Sequence, residues 1–420
     1  MQSWRGAAWI VAGRSPGHPM GNQLRRAFHL GAEPVRAALY VSCMGYYRAS
    51  VNGKAASNMT LGDFTNYEKR LWYSTHNVTG LLTAGENVLG FVVSGGWDAR
   101  HGAGKNGNSV LVRLSADLAD GTHVDVVSDT AFTSGAGAMA AADIYNGETW
   151  NASKATPGWD APGFTPTTGT DWANCSVGGS PHNVTKHPWN RPSMIASHAP
   201  LPQIEVTGTA APVDFWQAAP ESWVFDFGIN RAAVTTLTIP ADVATKLGAG
   251  ATWIQQAAEA LACAKPCGVN TFSSSGAAET ITYISDPALN SDGGGPGSAA
   301  ISFMPHFTQM GFRYIQLNFS GSTAWTPDNT SLTMAFINTA AKPISDITFS
   351  DPMLNAIQGM SLASAASNWM SIPTVRQLRH HFVPFYVQFS APRHLSRALW
   401  RVLLGAHADR ALIGAWNPML

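Results

Sequence analysis

The side chains best suited to hold a ligand in this 420-residue chain gather in its first 150 positions. Asn66, Tyr67 and Arg70 lie together in Phe64-Thr-Asn-Tyr-Glu-Lys-Arg70. An amide and a guanidinium can bond sugar hydroxyls, and an aromatic ring can lie against a sugar face. The plainer use of the same block is structural, with Phe64 and Tyr67 in a core and Arg70 in an ion pair. Trp97 follows Gly95-Gly96 at a strand end, where it is either a stacking platform or a packed sandwich Trp. Asp143, Asn146 and Glu148 belong to one turn, Asp143-Ile-Tyr-Asn-Gly-Glu148. Its oxygens suit Ca²⁺, with Asp143 and Glu148 as the carboxylates, or a sugar hydroxyl, or nothing beyond closing the turn.

Other candidates carry less. Asp226 sits in the alternation Val224-Phe-Asp-Phe and reads as a hydrogen-bonded structural Asp rather than a catalytic one. His380 and His381 are adjacent, so their side chains point apart, and no acidic co-ligand is near; they do not make a metal site. Gly293-Gly-Gly295 lacks the lysine and the strand–helix setting of a phosphate loop. Cys263 and Cys267 are spaced for a local disulfide or for two buried thiols. Seven Asn-x-Ser/Thr triplets, at Asn58, Asn77, Asn151, Asn174, Asn183, Asn318 and Asn329, lean towards an extracellular setting, although positions 1–30 hold no apolar signal core.

The elements that must position these groups are mostly strands. Charged residues are only 12% of the chain, about half the usual share, while Gly (40) and Pro (25) are plentiful. Short alternating runs fall at Leu24–Phe28, Val35–Ser42, Tyr46–Val51, Asn87–Val93, Val110–Leu114 and His123–Val127. Asn52-Gly53 and Asp120-Gly121 are hairpin signals between them. A connector is expected over Ala161–His198, further strands over Trp223–Gly228, Val234–Ile239, Thr252–Gln256, Glu279–Ile284 and Phe307–Leu317, and a linker over Asn318–Lys342. One helix stands out. Asp351 is a good N-cap, Pro352 occupies the first turn, and Met353, Leu354, Ile357 and Met360 recur at helical spacing. The fold class is therefore mostly β: two consecutive jelly-roll-like β-sandwiches followed by a short helical C-terminal remnant. A net charge of zero offers no field for nucleic acid, and no apolar run is long enough to span a membrane.

Three blocks taken in order resemble the α-L-rhamnosidase family of glycoside hydrolases. They are Tyr46 to Trp97, with Val51-Asn-Gly-Lys54, Phe64–Arg70, Tyr73–Leu82, Gly85–Gly90 and Gly95-Gly-Trp97; Asp143–Thr149 with Pro157-Gly-Trp-Asp160; and Val224–Asn230 with Gly311-Phe-Arg-Tyr314. Ser350–Asn355 and Ser367-Asn-Trp-Met-Ser-Ile-Pro-Thr374 look like the family's entry to its catalytic domain. The resemblance implies a carbohydrate-binding-like sandwich over 1–198, a second sandwich over 199–342, and the start of an (α/α)6 barrel over 343–374. It also implies partners that are L-rhamnose-containing glycosides, hydrolysed with inversion by one carboxylic acid and one carboxylate. Some N-terminal modules of the family bind rhamnose with calcium.

Beyond Thr374 the likeness stops. The family continues with an acidic segment, whereas here Val375-Arg-Gln-Leu-Arg-His-His-Phe382 follows, and Asp409 is the only carboxylate side chain after Asp351. One carboxylate cannot act as both acid and base. The expectation is a chain without its own catalytic carboxylates, inactive alone, with a divergent tail over 375–420 of the kind a frameshift produces; the alternative is a carbohydrate-binding or interaction module.

Overall fold

In the computed structural model the described residues are 4, 6–12, 22–65, 71–101, 108–166, 172–178, 195–198, 202–271, 277–289, 300–322, 324–342 and 347–373. Period-two alternation builds the first sandwich. Along Ser109–Leu118 every second side chain, Val110, Val112, Leu114, Ala116 and Leu118, enters one core, and Ala37, Leu39 and Val41 do the same from Pro34–Met44. One sheet runs Ser176–Val177, Ile10–Val11, Ser109–Leu118, Pro34–Met44, Leu71–Asn77, Ile195–His198, with His123–Val127 also on Ser109–Leu118. The facing sheet runs Trp172–Asn174, Thr133–Gly135, Gln23–Leu30, Gly85–Ser94, Tyr46–Val51, Lys54–Ala55. The Asn52-Gly53 hairpin forms as expected, with φ of 52° and 76° at the two turn residues.

The expected connector Ala161–His198 instead contributes strands to both sheets, Trp172–Asn174, Ser176–Val177 and Ile195–His198. Each is short and finds its partner far away in sequence, so it leaves no local periodic signal.

The second β unit is one ten-stranded sheet that curls onto itself. Its order is Met139–Asp143, Gly147–Asn151, Thr280–Ile284, Thr252–Ala258, Met310–Ser320, Ser222–Ile239, Leu332–Thr339, Ile204–Ala210. Asp214–Ala219 and Ile301–Phe303 also pair with Ser222–Ile239. Trp150 and Tyr283, near one end of the sheet, lie 5.5 and 5.1 Å from Phe303, which is paired to the far end of the 18-residue strand. The two expected strands Trp223–Gly228 and Val234–Ile239 are thus one, with its register broken between Asp226 and Arg231 beside Gly228 (φ 72°). Leu332–Thr339, expected as linker, is an interior strand of this sheet.

Two first-module strands belong to this second sheet. Met139–Asp143 and Gly147–Asn151 form a hairpin, and Gly147–Asn151 pairs in parallel with Thr280–Ile284. Gly147 is required here: its φ is 104°, and a Cβ would overlap the Thr280 carbonyl. Hydrogen bonding therefore crosses the boundary that the sequence suggests at residue 198.

The helix forms over Pro352–Ser367, and the Asp351 carboxylate accepts from the Met353 N–H at 2.8 Å. Its apolar side chains stay outside the core, and no residue of it is buried. Met353, Ile357 and Met360 are 66, 47 and 64% exposed. Asn355, Gln358, Ala363, Ala366 and Ser367 are its half-buried positions. Arg231 Nη1 reaches the Ala363 carbonyl, and after the helix Met370 enters the second core while the Ser371 N–H donates to Thr339 Oγ1.

Candidate functional site

Ligand-type side chains line a small, open depression of about 30 Å³ in the first sandwich. It is lined by Val41, Cys43, Tyr47, Asp63, Thr65, Trp72 and Ser74, with Gly45 and Gly62. The register explains the gathering. Val41 faces Ser74 across the Pro34–Met44 and Leu71–Asn77 strands, so both side chains share one face. Tyr47 Oη lies 2.9 Å from His76 Nε2, and Cys43 Sγ points at the Tyr46 carbonyl. Burial pushes the Tyr47 phenol and the Cys43 thiol well above their ordinary pKa values, so both are neutral. Cys43 is thus no nucleophile, and the depression offers hydroxyls, one carboxylate and an aromatic wall. Thr65 and Trp72 bracket the segment holding Asn66, Tyr67 and Arg70, three positions that lie outside the described residues.

Trp97 is not a surface platform. It is 3% exposed and sits edge-on between Phe64 and Tyr145, with ring centroids 5.6 and 5.7 Å away. The preceding glycine is explained by packing too: Gly96 has φ 45°, and a Cβ there would strike the Tyr46 ring. Trp97 thus fills the seam between the first sandwich and the second core.

The Asp143–Glu148 turn separates its two carboxylates. Asp143 Oδ1 accepts the N–H groups of Tyr145 (2.9 Å) and Asn146 (2.8 Å), and Asn146 Oδ1 accepts from Ala278. Glu148 points the other way, into the second core, and is 1% exposed. Its Oε2 accepts from the backbone of His306 (2.8 Å) and Phe307 (3.0 Å), and its Oε1 lies 3.3 Å from His306 Nδ1. Ca²⁺ takes six to eight oxygens. A carboxylate committed to two amide N–H groups and an imidazole does not fit that donor set. Among the described residues no three His, Cys, Asp or Glu side chains are gathered for a metal ion.

Asp226 is structural. It forms a two-pronged pair with Arg313 (2.8 and 2.9 Å), accepts from the Gly228 N–H, and lies 3.8 Å from Lys265. Burial by itself would raise its pKa, but the Arg313 and Gly228 hydrogen bonds and the two cationic charges outweigh it and hold the carboxyl below its ordinary value. Cys263 and Cys267 are joined in a disulfide. The intervening Lys265 lies 4.2 Å from the Trp216 ring centroid, and Trp216 Nε1 donates to the Cys267 carbonyl. The Gly293–Gly295 run, His380 and His381 lie outside the described residues.

Two features carry no sequence signal of their own. Glu148 and His306 are 158 positions apart, and only the fold makes them neighbours. Arg25, buried on the outer face of the six-stranded sheet, donates through Nε to the Trp159 carbonyl. Ser50 donates to Asp160 and the Gly53 N–H to the Asp160 carbonyl, so Pro157-Gly-Trp-Asp160 is a clamp on that sheet.

With this geometry in hand, comparison with known proteins is informative. The model of the alpha-L-rhamnosidase N-terminal domain matches residues 32–197, and that of the bacterial alpha-L-rhamnosidase concanavalin-like domain matches 216–338. The alpha-L-rhamnosidase of Streptomyces avermitilis is 30% identical over 386 residues, which is 89% of this chain and 33% of that protein. That of an Alteromonas species is 26% identical over 250 residues, 57% of this chain and 26% of the relative. The solved Streptomyces avermitilis alpha-L-rhamnosidase complexed with L-rhamnose superposes with a TM-score of 0.71 at 26% identity, over 87% of this chain and 32% of that one. The enzyme from Dictyoglumus thermophilum shares the fold, with a TM-score of 0.73 at 22% identity over 88% and 40% of the two chains. This chain spans about a third of the length of the curated relatives it matches. It belongs to the α-L-rhamnosidase family, of which it carries the N-terminal and concanavalin-like domains.

Proposed function

We propose that these residues are the β scaffold of an α-L-rhamnosidase, an inverting enzyme that removes terminal α-L-rhamnose from glycosides, and that the scaffold supplies no catalytic carboxylate. The observation that carries this reading is how its best-placed acids are used. Inversion needs a carboxylic acid and a carboxylate about 6.5–9.5 Å apart across the sugar, both free to exchange protons. Glu148 is sealed against two backbone N–H groups and His306, and Asp226 is clamped by Arg313. The outward apolar stripe of the Pro352–Ser367 helix gives a helical catalytic domain its seat. The test is turnover of an aryl α-L-rhamnoside by the pure 420-residue chain. None is expected, turnover only after adding a separate helical domain supports the scaffold role, and turnover by the chain alone refutes it.

The depression beside Asp63, Thr65, Trp72 and Ser74 favours a second reading, in which the first sandwich binds sugar. The relative solved with L-rhamnose makes that sugar the first ligand to try. Titration with L-rhamnose should quench Trp fluorescence at millimolar sugar. No heat and no quenching at that concentration would remove this reading.

A further inference from the structure

The seven Asn-x-Ser/Thr triplets are not equivalent once folded. Six fall on described residues, and the fold sorts them. Asn58, Asn77, Asn174 and Asn329 are exposed. Asn77 and Asn174 end the strands Leu71–Asn77 and Trp172–Asn174, Asn58 follows Lys54–Ala55, and Asn329 lies in the turn capped by Asp328. At Asn77 the amide oxygen accepts both the N–H and, at 2.8 Å, the hydroxyl of Thr79, the third residue of its own triplet. This holds the oxygen inward and leaves Nδ2 without a protein acceptor among the described residues.

Asn318 is the opposite case. It lies inside Met310–Ser320, flanked on both sides by Ser222–Ile239 and Thr252–Ala258. Its Oδ1 accepts from Ser222 (2.7 Å) and Gln316 (3.2 Å), and Gln316 in turn holds the Val269 N–H of the disulfide-closed hairpin. A bulky, hydrated glycan has no room under that hairpin. Asn151 is half-buried and pairs with Ile284 across the parallel Gly147–Asn151 and Thr280–Ile284 ladder.

A separate observation sets the compartment. The Cys263–Cys267 disulfide needs an oxidising environment, and the other two cysteines, half-buried Cys43 and buried Cys175, form no disulfide. Residues 332–373, which include the outward apolar stripe of the helix, contain no triplet at all.

We propose that this fold carries N-linked glycans on Asn58, Asn77, Asn174 and Asn329, and that Asn151 and Asn318 stay bare in the folded protein, so that the helix face is left unshielded. The donor is a polyprenyl-diphosphate-linked oligosaccharide. Asn Nδ2 attacks the anomeric carbon, the N–C bond forms as the C–O bond to diphosphate breaks, polyprenyl diphosphate leaves, and one amide proton passes to the transferase's base.

The test directs the full chain through the secretory pathway of a yeast or mammalian cell. The glycans are then released enzymatically in ¹⁸O-water, so that each occupied Asn becomes a labelled Asp, and the peptides are mapped by mass spectrometry. Expected is majority occupancy at the four exposed sites in secreted chains whose Cys263–Cys267 bond is closed, and none at Asn151 or Asn318. Replacing the four exposed Asn by Gln should lower secretion several-fold, and N318Q should leave it unchanged. Secreted chains that are bare at the four sites, chains occupied at Asn318, or a chain that never leaves the cell would each overturn the proposal.

Discussion

Glu148 should be among the costly single side chains to remove from the described fold. It sits on the first-module hairpin and satisfies two groups of the second unit, the N–H groups of His306 and Phe307, with the His306 ring 3.3 Å from its other oxygen. Glu148→Ala deletes the acceptor and admits no water, since Glu148 is 1% and His306 8% exposed. Each of the two buried N–H groups left unpaired costs about 1–3 kcal/mol. The expected destabilisation is therefore about 4 kcal/mol. Glu148→Gln keeps one oxygen for the two N–H donors, and its new NH₂ can donate to His306 Nδ1 once the ring carries its proton on Nε2. That variant should lose only about 1–2 kcal/mol.

Urea unfolding followed by Trp fluorescence measures both differences. Hydrogen exchange locates them: protection should fall first along Gly147–Asn151 and its parallel partner Thr280–Ile284. The reasoning fails if Glu148→Ala stays within about 1 kcal/mol of the parent, or if Gln is as damaging as Ala.

Asp226→Asn should cost about 1–3 kcal/mol at pH 7 by removing a charge-assisted two-pronged bond to Arg313. Because the folded carboxyl is held below its ordinary pKa, its stabilisation is present above the unfolded carboxylate value of about 4 and fades as pH falls through the folded value. Urea midpoints of parent and variant should accordingly converge in acid. Gly90→Ala would drive a Cβ into Ser50 Oγ and Asp160 Cβ, lifting the Trp159–Asp160 clamp; about 1–3 kcal/mol and new protease cleavage near residues 157–163 are expected. Replacing Met353, Ile357 and Met360 together by Gln should change stability by no more than about 0.5 kcal/mol, because all three are largely exposed and none is buried. Light scattering should show less self-association, and a loss of 2 kcal/mol or more would mean that the stripe packs on the β domains after all.

What the sequence makes legible is what local chemistry decides. Asn52-Gly53 announces its hairpin because few other pairs accept two positive φ values in succession. Asp351-Pro352 announces a helix start because the cap bond spans two residues. Strands with a long alternating run, such as Tyr46–Val51 and His123–Val127, are placed to the residue. Illegible are the pairings made at a distance. Gly147–Asn151 reads as a turn until Thr280–Ile284, more than 130 positions later, supplies its ladder. Leu332–Thr339 is buried on both faces in places, so it shows no clean alternation. Trp97 follows the same logic: Gly95-Gly96 correctly marks a tight bend, but burial depends on Phe64 and Tyr145, which the bend itself does not specify.

The helix puts the limit most sharply. Its apolar period is correct, and Met353, Leu354, Ile357 and Met360 lie toward solvent while Gln358, Ala363 and Ala366 are half-buried. Periodicity says that a face will be covered; it does not say by what. Two tethers make the orientation a fixed feature of the fold rather than a fraying end: Arg231 holds the Ala363 carbonyl, and Ser371 with Met370 anchors the chain just past the helix. Held this way, the helix keeps Met353, Ile357 and Met360 in solvent as part of the fold.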